Sequence, residues 1–253
     1  MTALSPHEPA DHTSLAGKVA LVTGAAGALG VAVREEFACR GAHVVGVDRD
    51  GADCVHADIS TEQGNAQALD TVLDAHGRLD IIVLNAGVQH MAPIPDFPVE
   101  EWERLIGVLL TGPFTLLKLA WPHLVSKPGG RVLVTASTSS FVAERFKAAY
   151  VAAKHGVLGL VKVAALEGAD HGLTANAVAP SWMRTRLVED QVAQRAELLG
   201  RSAEEVIADL VTEHAAKRFV EPREVAATLA FLASPAASAI TGTCVPVDLG
   251  ALA

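Results

Sequence analysis

The chain has 253 residues, of which 50% are hydrophobic and 19% charged, with a formal net charge of −9. That balance excludes a disordered chain, and with no Lys/Arg-rich run it argues against a nucleic-acid or anionic-membrane surface. Cys39, Cys54 and Cys244 are scattered without metal-ligand spacing, so the sequence predicts no metal site and three reduced thiols in a cytoplasmic protein.

The opening "MTALSPHEPADHTSL" has no basic segment followed by an apolar stretch, so residues 1–14 read as a flexible polar arm, not a signal peptide. Apolar runs of strand length follow: "KVALVT" (18–23), "HVVGVD" (43–48), "LDIIVLN" (79–85), "GRVLVTA" (130–136), "LTANAVAP" (173–180) and "TCVPVD" (243–248). Helical periodicity fits between them at 28–40, 61–76, 99–126, 148–170 and 222–234. The stretch 186–218 reads as two more helices broken near Gly200, with Ser202, Glu204 and Glu205 marking the start of the second. No uninterrupted apolar run is long enough to cross a membrane. Continuous apolar strands alternating with helices predict an α/β fold: one doubly wound parallel sheet, Rossmann-like, over 15–253. The helices near 186–218 form a small elaboration over the carboxyl edge of the sheet, where such folds bind ligands.

Directly after the first strand comes "TGAAGALG" (23–30), opening a helix. Glycines let the backbone approach a pyrophosphate, and the helix N-terminus offers free N–H groups. Asp48 ends the next strand, where a carboxylate can accept from the ribose hydroxyls of NAD and repel the extra phosphate of NADP. A solvated turn residue is the plainer reading of Asp48, and Arg49 beside it leaves NADP open.

Tyr150 is the only tyrosine, and Lys154 follows one helical turn later. A buried helix with Tyr150 as filler and Lys154 reaching to solvent would look the same. Ser137, just after the strand "RVLVTA", turns the pair into a Ser-Tyr-Lys set.

These motifs resemble the short-chain dehydrogenase/reductase family. Thr23, Gly24 and Gly30 match its glycine motif, with Gly27 and Leu29 inside the turn and Ala28 where the middle glycine is usual. The resemblance implies that Asp58 and Ile59 contact adenine, and that Asn85, Ala86 and Gly87 lie beneath the cofactor. It implies that Tyr150 acts as the acid–base group, Ser137 steadies the substrate oxygen, and Lys154 lowers the phenol pKa and holds the nicotinamide ribose. Leu109 stands where the family carries an asparagine that supports a proton relay, which keeps a nucleotide-binding protein without turnover as a third reading.

Beyond the shared motifs, "NAGVQHMAPIPDFPVEEWE" (85–103), "AYVAAKHGVLGLVKVAALE" (149–167) and "RTRLVEDQ" (184–191) are similar to D-3-hydroxybutyrate dehydrogenases. That similarity implies NAD as cofactor, a homotetramer, and oxidation of (R)-3-hydroxybutyrate to acetoacetate. Another hydroxy acid or secondary alcohol is the alternative. Gln89, Lys147 and Gln191 match positions that hold the substrate carboxylate, a role suited to charge-assisted donors. A solvated loop charge is the alternative for Lys147, and an exposed helix face for Gln191. Ser139 stands where the family has a further histidine ligand, which predicts a roomier pocket that grips an acid less tightly.

Overall fold

The computed structural model describes residues 12–253, so the predicted arm over 1–14 lies almost wholly outside the described residues. Seven strands form one sheet: β1 (Val19–Thr23), β2 (His43–Asp48), β3 (Val55–His56), β4 (Ile81–Leu84), β5 (Arg131–Thr135), β6 (Thr174–Pro180) and β7 (Cys244–Val247). Their order is β3-β2-β1-β4-β5-β6-β7, and every pairing is parallel. Successive strand residues point to opposite faces, so each apolar strand feeds two cores. Ala20 and Val22 of β1 and Ile81 and Val83 of β4 pack with Val33 and Phe37 of α1 (Ala28–Cys39) and Val225 and Leu229 of α8 (Pro222–Ala233). Val19 and Leu21 face the other way, toward Leu69 and Val72 of α2 (Glu62–His76), Leu116 of α4 (Gly112–Leu124) and Val161 of α5 (Ala148–Gly168). Each fully buried side chain of this kind is worth about 1.5–3 kcal/mol. Burial on both faces is why these strands read as unbroken apolar runs.

Strand order reverses between β1 and β4, which opens a crevice outside their carboxyl ends. Two features depart from the sequence expectation. Strand β3 has only two residues, too few to leave a periodic signal. The single helix expected at 99–126 is α3 (Val99–Ile106), a π-helical turn at Gly107–Thr111, and α4. The reason is local: Pro113 has no N–H to give the carbonyl of Leu109, four residues back. Gly112 also presses on the Ile59 carbonyl, where a β-carbon would come within 2.3 Å. Val99–Leu124 and Ala148–His171 are apolar and long enough to cross a membrane by composition. Here their apolar faces cover the sheet.

The elaboration consists of α6 (Arg186–Leu199) and α7 (Ala203–Glu213), broken at Gly200. Ser202 opens α7 with a reciprocal cap: Glu205 N–H donates to Ser202 Oγ (3.2 Å), and Ser202 N–H donates to Glu205 Oε2 (2.9 Å). The pair packs through its own small core of Trp182, Val192, Val206 and Leu210. It covers the crevice from the carboxyl side, and Thr185, Val188 and Gln191 line the cleft below.

Candidate active site

A cleft of about 480 Å3 runs along the carboxyl edge from the start of α1 to the underside of α6. At one end the first turn of α1 faces it, and Gly27 at the N-cap carries no side chain to satisfy the exposed N–H groups. Gly24 adopts φ +66, and a β-carbon there would meet Ala86 Cα at 2.7 Å. At Gly30 a β-carbon would lie 2.1 Å from the Gly24 carbonyl, so the turn closes on glycine alone. Ala28, by contrast, is exposed at the first position of α1, where an ordinary side chain fits. The Asp48 carboxylate is held at the mouth of this turn, accepting from Ala26 N–H and Arg49 N–H at 2.9 and 2.8 Å. It is an anchored acceptor, not a freely solvated turn residue. Asp58 accepts from the Ser60 hydroxyl (2.7 Å) and N–H (2.9 Å), which hold its carboxyl below the usual range. Both Asp58 and Ile59 line the cleft, as do Leu29, Ala86 and Gly87.

Thr23 and Asn85 do structural work beneath. Asn85 N–H and Ala86 N–H donate to Thr23 Oγ1 (3.0 and 3.2 Å), tying β1 to the end of β4. Asn85 Nδ2 donates to the Thr23 and Gly24 carbonyls, and its Oδ1 accepts from Thr135 Oγ1 (3.0 Å) on β5. Lys154 extends the chain, donating from Nζ to the Thr135 carbonyl at 2.6 Å.

Lys154 is 5% exposed and does not reach to solvent. Its Nζ lies 5.6 Å from the centre of the Tyr150 ring, as expected one turn apart on α5. Burial pulls the Lys154 ammonium down to about 8. Burial likewise pushes the Tyr150 phenol up to about 12, against a lowering hydrogen bond with Ser137. Loss of hydration and the Glu144 carboxylate outweigh the Ser137 hydrogen bond in the protein by itself. Ser137 Oγ accepts from Ser139 N–H (3.1 Å) in the 3₁₀ turn Thr138–Ser140, which leaves its hydroxyl proton to give. Ser137, Tyr150 and Lys154 thus meet at the middle of the cleft.

Leu109 is 2% exposed and packs with Leu105, Ala149 and Ala153 against Tyr150. Its side chain belongs to the wall behind the phenol, and it is not among the residues lining the cleft.

The other end departs most from expectation. Lys147 is 3% exposed, which rules out a solvated charge, and its Nζ sits 2.8 Å from Glu144 Oε2. Ser139 Oγ donates to Glu144 Oε1 at 2.5 Å. Lys147 Nζ also lies 4.2 Å from the centre of the Trp182 ring, with Arg195 5.8 Å from the same ring. Burial raises the Glu144 carboxyl, but Lys147, the Ser139 hydroxyl and Arg195 together hold it below the ordinary range. Gln191 is buried, not on an exposed face, and lines the cleft while its Nε2 donates to Leu187 O (3.1 Å). Gln89 is not among the lining residues; its Oε1 accepts from His90 N–H, and its buried Nε2 has no partner among the described residues. Sequence reasoning missed Glu144, Trp182, Arg195 and Glu213. Only Glu144, three residues before Lys147, left a signal.

A family model described as enoyl-(acyl carrier protein) reductase matches residues 10–251. The chain is 38% identical to the D-beta-hydroxybutyrate dehydrogenase of Cupriavidus necator, over 93% of this chain and 98% of that one. Among solved structures, the aldohexose dehydrogenase of Thermoplasma acidophilum superposes with a TM-score of 0.87 at 31% identity, covering 94% of each chain. The 3-ketoacyl-(acyl-carrier-protein) reductase of Brucella melitensis, complexed with NADH, superposes with a TM-score of 0.83 at 31% identity, over 94% of this chain and 99% of that one. With this sheet, this glycine turn and these relatives, the chain is an oxidoreductase that belongs to the short-chain dehydrogenase/reductase family.

Proposed function

We propose that the protein is an NAD-dependent dehydrogenase interconverting a small secondary alcohol and its ketone. The observation that carries this reading is the meeting of Ser137, Tyr150 and Lys154 at the middle of a cleft whose one end suits a dinucleotide. Residues Gly24, Gly27, Leu29 and Gly30 would receive the pyrophosphate, Asp48 the adenosine ribose, and Asp58 with Ile59 the adenine. Asn85, Ala86 and Gly87 would lie under the nicotinamide end, with Tyr150 and Lys154 at its ribose. Bound there, the nicotinamide would accept the hydride, with its electron pair, from the carbinol carbon. Tyr150 takes the hydroxyl proton, Ser137 donates to the oxygen as it becomes a carbonyl, and Lys154 stabilises the phenolate. A phenol held at about 12 in the protein alone needs added positive charge before it can act as a base near neutral pH.

The relative from C. necator supports (R)-3-hydroxybutyrate as substrate. A second reading, an uncharged alcohol, is favoured by the Lys147–Glu144 pair and by similarity to an aldohexose dehydrogenase. Phe114 (52% exposed) on α4 and Leu166 (79% exposed) on α5 present apolar surface that suits burial between subunits, which supports the homotetramer. Cys39, Cys54 and Cys244 are all unpaired, which supports a cytoplasmic setting.

NADH absorbance followed with a panel of hydroxy acids and alcohols tests the reading. Tyr150→Phe is expected to bind NADH and keep its melting temperature while losing at least ~10²-fold in turnover. Retention of more than about a tenth of wild-type activity would remove Tyr150 from the chemistry.

A further inference from the structure

We propose that Glu144 is a specificity-determining residue: its carboxylate occupies the anion subsite beside Tyr150, so the enzyme takes an uncharged hydroxyl-bearing alcohol in preference to a hydroxy acid. This deepens the dehydrogenase reading and rests on it for the position of the reacting carbon.

Lys147 is a buried cation of the cleft on the side away from the glycine turn, and its Nζ lies 5.8 Å from the Tyr150 ring centre. A substrate carboxylate next to the phenol would need this ammonium. Glu144 already has it at 2.8 Å, together with the Ser139 hydroxyl at 2.5 Å. The wider charge count closes in the same way. Arg195 Nη1 stands 3.9 Å from Glu144 Oε2, and Glu213 accepts from Trp182 Nε1 at 2.6 Å and attracts the Lys147 charge. Around the Trp182 ring two cations, Lys147 and Arg195, face two carboxylates, Glu144 and Glu213, and the other cation at the Tyr150 ring, Lys154, donates to the Thr135 carbonyl. A second carboxylate here would sit against the first across one shared ammonium, an arrangement that like-charge repulsion disfavours. A hydroxyl meets no such opposition. Each carboxylate oxygen of Glu144 accepts one hydrogen bond from the groups named and has a lone pair to spare, so it can accept from a substrate O–H. Lys147 can donate to the same hydroxyl oxygen with a proton it does not share with Glu144.

The geometry therefore points to a substrate with a secondary hydroxyl at Tyr150 and a second, neutral hydroxyl a few bonds away. (R)-3-hydroxybutyrate and (R)-1,3-butanediol make the matched pair, since they differ only in a carboxylate against a CH₂OH. Wild-type kcat/KM is expected to favour the diol by at least ~10-fold, the low end for one charge-assisted contact. Glu144→Gln should reverse the order, raising kcat/KM for the acid at least ~10-fold and lowering it for the diol. In Glu144→Gln/Lys147→Met the gain for the acid should vanish, because the freed ammonium is gone. Butyrate binding to the NADH complex, read by calorimetry, gives an arm without turnover: Glu144→Gln should tighten it at least ~10-fold over wild type.

A wild type that prefers the acid, or a Glu144→Gln variant that binds butyrate no better, would overturn the proposal. If Glu144→Gln does not fold, the wild-type order of the two substrates decides by itself. If neither alcohol turns over while NADH still binds, the dehydrogenase reading fails, and the butyrate arm still judges the role of Glu144.

Discussion

At the cofactor end of the cleft the polar contacts run between backbone atoms and short side chains: Thr23 with Asn85 and Ala86, Asp48 with Ala26, Ser60 with Asp58. At the opposite end they run between long side chains, four of them charged, brought from separate segments: Glu144 and Lys147 before α5, Trp182 after β6, Arg195 on α6 and Glu213 on α7. The first kind of site is bound to the strand ends, which the sheet register positions, and has few rotamers to choose from. The second depends on how a loop bends. Phe146 adopts φ +70, a conformation a bulky residue rarely takes, and its carbonyl accepts from Ala92 N–H at 3.0 Å. That bend lies between Glu144 and Lys147, whose side chains pair at 2.8 Å. The glycine turn is therefore written into the frame of the fold, whereas the charged end of the cleft rests on one loop and the helices above it.

The contrast can be broken most severely at Gly30. Gly30→Ala drives a β-carbon into the Gly24 carbonyl, and backbone has nowhere to go. A loss of about 3 kcal/mol is expected, with a melting temperature lower by roughly 6–12 °C. Gly27→Ala is the control, because its β-carbon would stand 3.4 Å from the same oxygen. Equal losses from the two variants would show that the turn is not set by close backbone approach.

Lys154 sharpens the comparison from the chemical side, as a buried ammonium that the fold holds against its own stability. Its pKa falls from 10.5 to about 8 by burial. Below about 8 both folded and unfolded chains carry the ammonium, and the folded one bears the full burial cost. Between about 8 and 10.5 the folded chain sheds its proton first, so the cost fades as pH rises. Lys154→Met should then be more stable than wild type at pH 7 by about 1–2 kcal/mol, after the Thr135 carbonyl loses its donor. Denaturant titrations at several pH values should show the gap closing toward pH 10. A variant less stable than wild type at pH 7 would mean that Lys154 is satisfied as a cation in the fold.

The smallest effect is expected at Asp48. Wild type should turn over faster with NAD than with NADP at equal concentration, and Asp48→Ala should narrow that preference by about tenfold, near 1.4 kcal/mol. Some stability is lost too, since Ala26 N–H and Arg49 N–H lose their acceptor. A preference for NADP in the wild type would refute the assignment of Asp48.

Leu109 shows where residue types and geometry part. In the sequence it is a missing amide in a relay and the chief support for a protein without turnover. In the fold it fills the wall behind Tyr150, and the π-helical turn places Pro113 where its carbonyl would look for an α-helical N–H. The side chain and the backbone of one residue answer two different questions, and only the first is visible in a sequence.

From the sequence alone came the alternation of buried strands and helices, the turn at 23–30, and the one-turn spacing of Tyr150 and Lys154. Those signals are local, because strand and helix periods and glycine requirements act over a few residues. The two-residue β3 escaped because it holds a single alternation, and the π-helical turn because it continues the apolar pattern of the helices on either side. Tertiary structure decided the rest. It showed that Gln191 lines the cleft, that the Gln89 amide nitrogen is buried without a partner among the described residues, and that Lys147 pairs with Glu144. The physical reason is that charge pairing depends on distances of a few ångströms between segments, such as the loop before α5 and helix α6, whose approach is set by packing and not by their separation along the chain.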